Sequence, residues 1–426
     1  MSIELPPSAA HRAAYPLTRL PERVRTRLTE LARTHAPLAA YLYDPDTAAA
    51  RARELRAALP DWAAVYYAVK ANSHPAVLAG LADHVDGFEV ASLSELALAR
   101  TALDSRTDPR PATAPRAATA PPTPVLAAGP AKSTAVLTAL VRADAESINA
   151  ESLLELHRIN HIAQRHGTTA RVSLRVNPAH IPLTGSLQMG GVPSAFGVPE
   201  PDVPAVLAEA ATLPALDIVG FHIHAASGNL DAESHAAYVR WCVTWATATA
   251  RTHGIDLRQI DTGGGIGVAF EDEKPFDTAR FGTLIADTPP PPGVRVILEP
   301  GRYLAAECGW YAAEVTDLKN SYGHWYAMLR GGINHFQLPT SWDIVHNIAV
   351  LPVDDWPAEL PRPTAENAPL TVVGELCTPE DTLLRDVRVD RIRAGDLVVF
   401  PNAGSYGWEF AMPHFLGHPA AERHVL

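Results

Sequence analysis

The residue with the clearest chemical use is Lys70, at the end of the apolar run AVYYAVK. A lysine beside buried strand residues loses solvation, so its pKa falls and its amine becomes a nucleophile that can form a Schiff base. The alternative is a structural lysine whose ammonium reaches solvent along its apolar stem. Both interpretations fit Lys70 alone, so the other chemistry-bearing residues must decide between them.

Two further motifs suit the binding of a phosphate group. The run DTGGGIG places Gly263, Gly264 and Gly265 together, and glycines let backbone N–H groups approach a phosphate closely. Tight turns also use consecutive glycines, and the spacing differs from the GxGxxG pattern of dinucleotide sites. The motif EPGR adds Arg302, which can pair with phosphate, and Glu299, which can hold a pyridine nitrogen protonated. The alternative for Glu299 and Arg302 is an ion pair that closes a turn.

Histidine, cysteine and tyrosine residues add further candidates. His222, His224 and Ser227 lie in GFHIHAASGN, and strand alternation puts both histidines on one side. An H-x-H pair can bind a metal, but no acid-rich motif accompanies it, so we predict no metal site. His222 also suits a buried core position. Cys377 in GELCTPED and Tyr406 in AGSYG suit either chemistry or simple packing.

Eight short apolar runs must position these residues. Continuous apolar runs are typical of parallel strands that are buried on both faces. The runs are AVYYAVK, HVDGFEV, PVLAAG, ESINA, RVSLRV, DIVGFHIH, RQIDTG and VRVILEP. Several of these runs end in, or are followed by, the candidate site residues: Lys70, Glu89, Arg175, His224, the three glycines, Glu299 and Arg302. In a barrel, catalytic groups gather at the carboxyl ends of the strands, so these residues should converge.

The segments between the runs are rich in alanine and leucine and long enough for helices. Two of them begin with capping-box patterns, Ser92 with Glu95 and Ser152 with Glu155. Eight strand–helix units predict a (β/α)8 barrel of the α/β class, although a doubly wound sheet uses similar units. The Pro-, Ala- and Thr-rich residues 101–124 predict a mobile insertion within the barrel.

After about residue 305 the pattern changes to β-like runs without helices between them, such as WYAMLRGG, LTVVGELC and DLVVFPN. We therefore predict a barrel over residues 37–305 and a mainly β domain over 306–426. An N-terminal segment, residues 1–36, is expected to pack with the β domain.

Composition excludes several classes of protein. Hydrophobic residues are 47% and charged residues 19%, as in ordinary globular proteins, and no apolar run is long enough to span a membrane. The formal charge of −12, without clustered Lys or Arg, argues against nucleic-acid binding. The N-terminus has no signal-peptide pattern, and Cys242, Cys308 and Cys377 lack metal-ligand spacing. A cytoplasmic protein with reduced thiols is expected.

Taken together, these motifs resemble the fold-type III pyridoxal-phosphate (PLP) decarboxylases, which act on ornithine, arginine or diaminopimelate and have an alanine-racemase-like barrel with a β domain. The resemblance spans most of the chain. It rests on YAVKAN, GFEVASLSEL, AAGPAKS, NAES, LRVNP, GFHIHAASG, GGGIG, EPGR, GELCTPED and AGSYG.

The resemblance implies roles for individual residues. Lys70 should form the aldimine with PLP, His224 should stack on the pyridine ring, and Glu299 should pair with the pyridine nitrogen. Loss of CO2 should produce a quinonoid intermediate. Cys377 should then reach across a homodimer interface and protonate the substrate carbon. The implied cofactor-binding residues are Lys70, Glu89, Arg175, His224, Ser227, Gly263, Gly264, Gly265, Glu299, Gly301, Arg302 and Tyr406. The implied catalytic residues are Lys70, His224 and Cys377.

Departures from the family pattern bear on the substrate. Members that act on free diamino acids carry an acidic residue after the cysteine, where this chain has Thr378. The usual lysine before FG is absent from AFGV, residues 195–198. GGINHFQLPTSW and AMPHFLGHP resemble the subgroup of siderophore and other specialised pathways. That subgroup decarboxylates amino acids already joined to citrate or to a carrier protein, which Asn334, His335 and Thr378 would then meet. Packing at a dimer interface is an equal alternative for Asn334 and His335.

Decarboxylation of such a conjugate is therefore the predicted function, with a carrier protein as a potential partner. The alternatives are decarboxylation of free ornithine, lysine or diaminopimelate, racemisation of an amino acid, and a non-catalytic regulator. The motif around Cys377 argues against a racemase, and the presence of Lys70, His224 and Cys377 argues against a regulator.

Overall fold

A computed structural model describes residues 12–13, 19–106, 122–183, 185, 187–270, 273–337 and 347–426. The chain folds into two compact units. The barrel unit comprises Pro45–Ala269 and Lys274–Leu304, and the β unit comprises Met1–Asp44, Phe270–Glu273 and Ala305–Leu426.

The barrel unit is built on eight parallel strands among its described residues. They are β1 Ala63–Ala68, β2 Gly87–Val90, β3 Thr123–Ala127, β4 Ala145–Ala150, β5 Ala170–Asn177, β6 Leu216–His222, β7 Gln259–Asp261 and β8 Arg295–Leu298. Each strand pairs with the next, and β8 pairs with β1, so the sheet closes. The predicted barrel is confirmed, and most strand bounds match the apolar runs within two residues.

Helices surround this barrel. Their bounds are Pro45–Ala58, Pro75–Ala82, Leu93–Asp104, Thr134–Arg142, Leu153–Arg165, Val203–Ala210, Ala232–His253 and Thr278–Ala286. The first of these precedes β1 and packs against Pro75–Ala82 and Thr278–Ala286. It therefore occupies the place in the outer ring of helices that a helix after β8 would normally take. After β8 the chain forms the short helix Arg302–Ala305 instead.

The two predicted capping boxes are present. Ser92 Oγ accepts the N–H of Glu95 at 3.2 Å, and the Glu95 carboxylate accepts the N–H of Ala91 at 2.6 Å. Ser152 Oγ likewise accepts the N–H of Glu155 at 3.2 Å. These bonds satisfy N–H groups that have no partner inside the helix, and so fix where the chain turns from strand end to helix.

The range predicted as an insertion, residues 101–124, overlaps a helix at its start and a strand at its end. The preceding helix continues to Asp104, and β3 begins at Thr123. Residues 107–121 lie outside the described part of the chain.

The β unit contains one mixed sheet. Its strands are Arg12–Ala13, Ala39–Tyr43, Gly309–Ser321, His324–Leu329, Ala349–Leu351, Thr364–Val373, Thr382–Arg393, Leu397–Phe400 and Glu422–Val425. Helix Glu22–Thr34 buries Val24 and Leu28 in a core that also contains Trp310 and Val399. Among the described residues, no helix combines the length and apolar character needed to cross a membrane.

Candidate active site

Lys70 lies at the carboxyl end of the barrel strands, in the short 3-10 turn Val69–Ala71 after β1. The register pairs Ala68 of β1 with Glu89 of β2, and this places Lys70 Nζ 2.6 Å from Glu89 Oε2. The Glu89 side chain is buried, whereas 43% of the Lys70 side chain is exposed. Burial raises the pKa of Glu89, and the Lys70 ammonium opposes that shift. The ion pair orients a reachable amine at the strand ends.

A layer of buried polar residues crosses three neighbouring strands. His222 of β6 is in register with Arg175 of β5 on one side and Asp261 of β7 on the other. His222 Nε2 lies 3.6 Å from Glu299 Oε2, just beyond β8. Burial lowers the pKa of His222, while burial and the Glu299 carboxylate raise the pKa of Asp261. His222 and Asp261 were outside the predicted site, although both sit at strand ends.

Donor atoms of His222, Asp261 and Glu299 lie within 4.8 Å of one another, a spacing that a metal ion could also use. Glu299 Oε1 has no hydrogen-bond partner among the described residues. The arrangement can therefore receive a ligand group at Glu299.

The glycines after β7 form a tightly packed loop. The N–H of Gly263 donates to Asp261 Oδ1 at 2.9 Å. A Cβ at Gly264 would collide with the carbonyl oxygen of Glu299, and one at Gly265 would lie 2.6 Å from the carbonyl oxygen of Ala226. These close backbone approaches explain the run of glycines, because no side chain fits at either position.

His224 lies two residues beyond the end of β6, so it leaves the strand alternation that the sequence suggested. Its Nδ1 accepts the N–H of Gly264 at 3.2 Å, which puts the proton of the neutral ring on Nε2, 3.4 Å from Ser227 Oγ. Burial, with the cations Arg175 and Lys70, lowers the pKa of His224 to about 3. The ring is therefore uncharged at neutral pH and fixed against the glycine loop.

Arg175 is held by a carboxylate that the predicted site did not include. Arg175 Nη1 lies 2.7 Å from Glu151 Oε1, and its guanidinium stacks 4.7 Å from the ring centroid of Phe196. Glu151 Oε2 accepts the N–H of Gly197 at 3.0 Å. Glu151 thus connects the strand residue to the loop before Val198. The signal in the sequence was the acid of NAES, directly after β4.

Gly301 and Arg302 follow β8 and are buried. Ser227 belongs to a short strand, Ala226–Ser227, that pairs with Leu187–Gln188. These residues of the barrel unit thus lie at or just beyond the carboxyl ends of the strands, and their roles stay predictions.

Other predicted site residues belong to the β unit. Cys377 is exposed, and Tyr406 adopts a left-handed backbone conformation with φ of 57°. The Thr378 hydroxyl accepts the N–H of Glu380 at 3.3 Å. Asn334 is buried and accepts the N–H of Gly332 at 2.8 Å. His335 is also buried, with Nε2 2.9 Å from the carbonyl oxygen of Pro419. Roles for these five residues stay predictions.

Replacing Gly263 with alanine should displace His224. Gly263 has φ of +66°, and an added Cβ would lie 2.5 Å from His224 Nδ1 and 2.7 Å from its Cβ. Gly254 has almost the same φ, +65°, with nothing within 4 Å, so Gly254→Ala is a matched control for backbone strain. We expect both variants to lose about 1–2 kcal/mol of stability in thermal unfolding. Only Gly263→Ala should also weaken the binding of added pyridoxal phosphate, by about tenfold in Kd, in a fluorescence titration. Equal binding by both variants would contradict a role for the His224 position.

The comparisons with known proteins agree with this geometry. Residues 46–306 match the family described as "Pyridoxal-dependent decarboxylase, pyridoxal binding domain". A Staphylococcus aureus protein named 2-[(L-alanin-3-ylcarbamoyl)methyl]-2-hydroxybutanedioate decarboxylase is 35% identical over 391 residues, covering 91% of this chain and 93% of its own. The L-glutamyl-[BtrI acyl-carrier protein] decarboxylase of Niallia circulans is 32% identical, with 89% and 86% covered. The crystal structure of Helicobacter pylori diaminopimelate decarboxylase complexed with L-lysine superposes with a TM-score of 0.79 at 27% identity, covering 94% of each chain.

Proposed function

The chain belongs to the pyridoxal-dependent decarboxylases, and from that membership we propose that it decarboxylates an amino acid already joined to citrate or to a carrier protein. The setting proposed is siderophore or other specialised metabolism. The observation that carries the proposal is the 35% identity, over nearly the whole of both chains, to an enzyme whose name describes an amino acid amide-linked to a hydroxylated polycarboxylate.

Two observations, one on a relative and one on this chain, support a conjugated substrate. A second relative, at 32% identity, also acts on an amino acid that is attached to a larger group, in its case a carrier protein. In this chain the residue after Cys377 is Thr378, whose hydroxyl is engaged by the backbone of its own turn. A neutral residue here offers no charge for the distal amine of a free diamino acid, whereas a conjugate has no free amine at that end.

The barrel unit fits pyridoxal phosphate. The Gly263–Gly265 loop is too closely packed for any side chain, as a backbone phosphate cradle requires, and Arg302 lies at the next strand end. The buried Glu299 Oε1 has no partner among the described residues and suits a protonated pyridine nitrogen. We propose that these residues, with Glu89, Arg175, Ser227 and Gly301 of the same unit, hold the cofactor.

When bound, the cofactor supplies an electron sink for the electron pair that CO2 leaves behind. Lys70 Nζ would hold it covalently, and Glu89 at 2.6 Å keeps that amine in place. His224, which is neutral and is fixed by the N–H of Gly264, would offer an uncharged ring to the cofactor. Glu299 would keep the pyridine nitrogen protonated, and Cys377 would return a proton to the substrate Cα.

A homodimer and a cytoplasmic location complete the proposal. In a dimer, the exposed Cys377 of one protomer would serve the barrel of the other. Cys242, Cys308 and Cys377 are free thiols, and a reducing compartment would keep them so.

Decarboxylation of a free diamino acid is the second candidate. It is favoured by diaminopimelate decarboxylases, of which the Aquifex aeolicus enzyme is 30% identical over 93% of this chain.

A substrate panel separates the two candidates. We expect kcat/KM for a citrate-linked or carrier-linked amino acid to exceed that for free ornithine, lysine or diaminopimelate by about a hundredfold or more. Products are identified by mass spectrometry, and Lys70→Ala protein is the control for non-enzymatic CO2 loss. A higher kcat/KM for any free diamino acid would reject the conjugate in favour of the second candidate.

A further inference from the structure

Asp261 and Glu299 form a buried carboxyl pair beneath the proposed cofactor site. Both side chains are buried, Asp261 completely, and a carboxylate oxygen of Asp261 lies within 4.8 Å of one of Glu299. Neither forms an ion pair with a lysine or arginine among the described residues, and the nearest imidazole, His222, is 3.6 Å from Glu299. Two buried carboxylates this close repel each other strongly when both are ionised, and this repulsion favours a proton shared by the pair.

The contacts of Asp261 are compatible with the neutral acid. Its Oδ1 accepts the N–H of Gly263 at 2.9 Å, and its Oδ2 accepts the amide of Asn149 at 3.2 Å. A neutral carboxyl group can keep both bonds and still donate its O–H to Glu299. Burial first, and then the Glu299 carboxylate, raise the pKa of Asp261 well above its ordinary value.

The contacts of Glu299 suit the ionised partner. Glu299 Oε1 is buried without a hydrogen-bond partner among the described residues. An ionised Glu299 can accept the O–H of Asp261 on one oxygen and a cationic N–H on the other.

We propose that Asp261 is a positioning residue that carries the proton of this pair and donates it to Glu299, which fixes Glu299 with its free oxygen toward the cofactor's pyridine nitrogen. This inference rests on the proposed function, because it needs a cofactor with a protonated ring nitrogen at Glu299. Asp261 is held in position by its bond to the glycine loop and by the register of β7 with its neighbouring strands. In this proposal it contacts neither the substrate nor the cofactor.

Three variants test the position of the proton. Asp261→Asn keeps a donor for Glu299 and an acceptor for Gly263 but loses the acceptor for the Asn149 amide. Asp261→Leu removes the donor and both acceptors at similar size, and Glu299→Gln removes the charge. The measurement is the Kd of the cofactor-stripped full chain for pyridoxal phosphate, from tryptophan fluorescence, together with the absorbance of the bound cofactor. We expect Asp261→Asn to bind within about threefold of the unaltered protein, and Asp261→Leu and Glu299→Gln to bind about tenfold or more weakly. Only Asp261→Asn should keep the unaltered absorbance.

Three outcomes would overturn the proposal. Glu299→Gln binding as tightly as Asp261→Asn would place the proton on Glu299. Asp261→Leu binding like the unaltered protein would remove any positioning role, and Asp261→Asn binding as weakly as Asp261→Leu would require a charged Asp261. Thermal unfolding checks that each variant folds, and if Asp261→Leu does not, the other two variants decide. An unaltered protein that does not bind pyridoxal phosphate would instead overturn the proposed function and this inference with it, so the two failures are distinguishable.

Discussion

Replacing Lys70 with alanine should lower decarboxylation by about a thousandfold or more, because the residue proposed to hold the cofactor covalently is lost. The exposed half of the Lys70 side chain and its Glu89 partner set it apart from Lys132, which is fully enclosed. Lys132 Nζ is engaged by Gly129, Asn149 and Glu155 at 2.8–2.9 Å, so it has no freedom to attack a ligand. Of these two lysines, Lys70 is therefore the one whose amine a ligand can reach.

Because the chain has few lysines, the lysine that binds the cofactor can be identified directly by chemical labelling. The sequence has four, Lys70, Lys132, Lys274 and Lys319. Reductive trapping with borohydride after addition of pyridoxal phosphate, followed by peptide mass spectrometry, should label the Lys70 peptide alone. Lys319 is exposed on a strand of the β unit, so Lys319→Ala is the matched control and should keep full turnover. Label on another lysine, or full turnover by Lys70→Ala, would reject the assignment.

The strand ends could be predicted from sequence because buried parallel strands leave a local signature. The runs AVYYAVK and VRVILEP predicted β1 and β8, and so placed Lys70 and Glu299 at one end of the barrel before any contact was known. The capping boxes were predictable for the same reason, since both partners are close in sequence.

Asp261 and Glu151 were missed because their roles depend on contacts between distant segments. The sequence shows Asp261 only as the last residue of a strand. The pairing of β7 with β6 and β8 is what places its side chain near His222 and Glu299. Glu151 reads as the residue before a helix cap, and its bond to Arg175 requires the adjacent strand. The closing helix Pro45–Ala58 was missed likewise, because its position before β1 gives no sign that it completes the ring at the other end.

Cys377→Ala is the second substitution with a large expected effect. A thiol can return a proton to the substrate Cα after CO2 leaves, and alanine cannot, so turnover should fall by about a hundredfold. The proton should then come from solvent, so products formed in D2O should show altered stereochemistry at Cα. Cys242 and Cys308 provide the matched comparison. Both are fully buried, and burial raises the pKa of each thiol, which removes them from proton transfer at neutral pH.

The same variant tests whether the site is shared between protomers. Lys70→Ala and Cys377→Ala proteins, each nearly inactive, should regain part of the activity when mixed and allowed to exchange subunits. In such a mixed dimer one site combines an intact Lys70 with an intact Cys377 of the partner protomer, which neither homodimer can do. The Cys308→Ala variant should keep turnover and product stereochemistry. Normal turnover with an unaltered product from Cys377→Ala would exclude the thiol as the proton donor, and mixing without recovery would mean that Cys377 serves its own barrel. Cys377 is the thiol proposed for this transfer because it is exposed, whereas Cys242 and Cys308 are buried and could not reach the substrate of a second protomer.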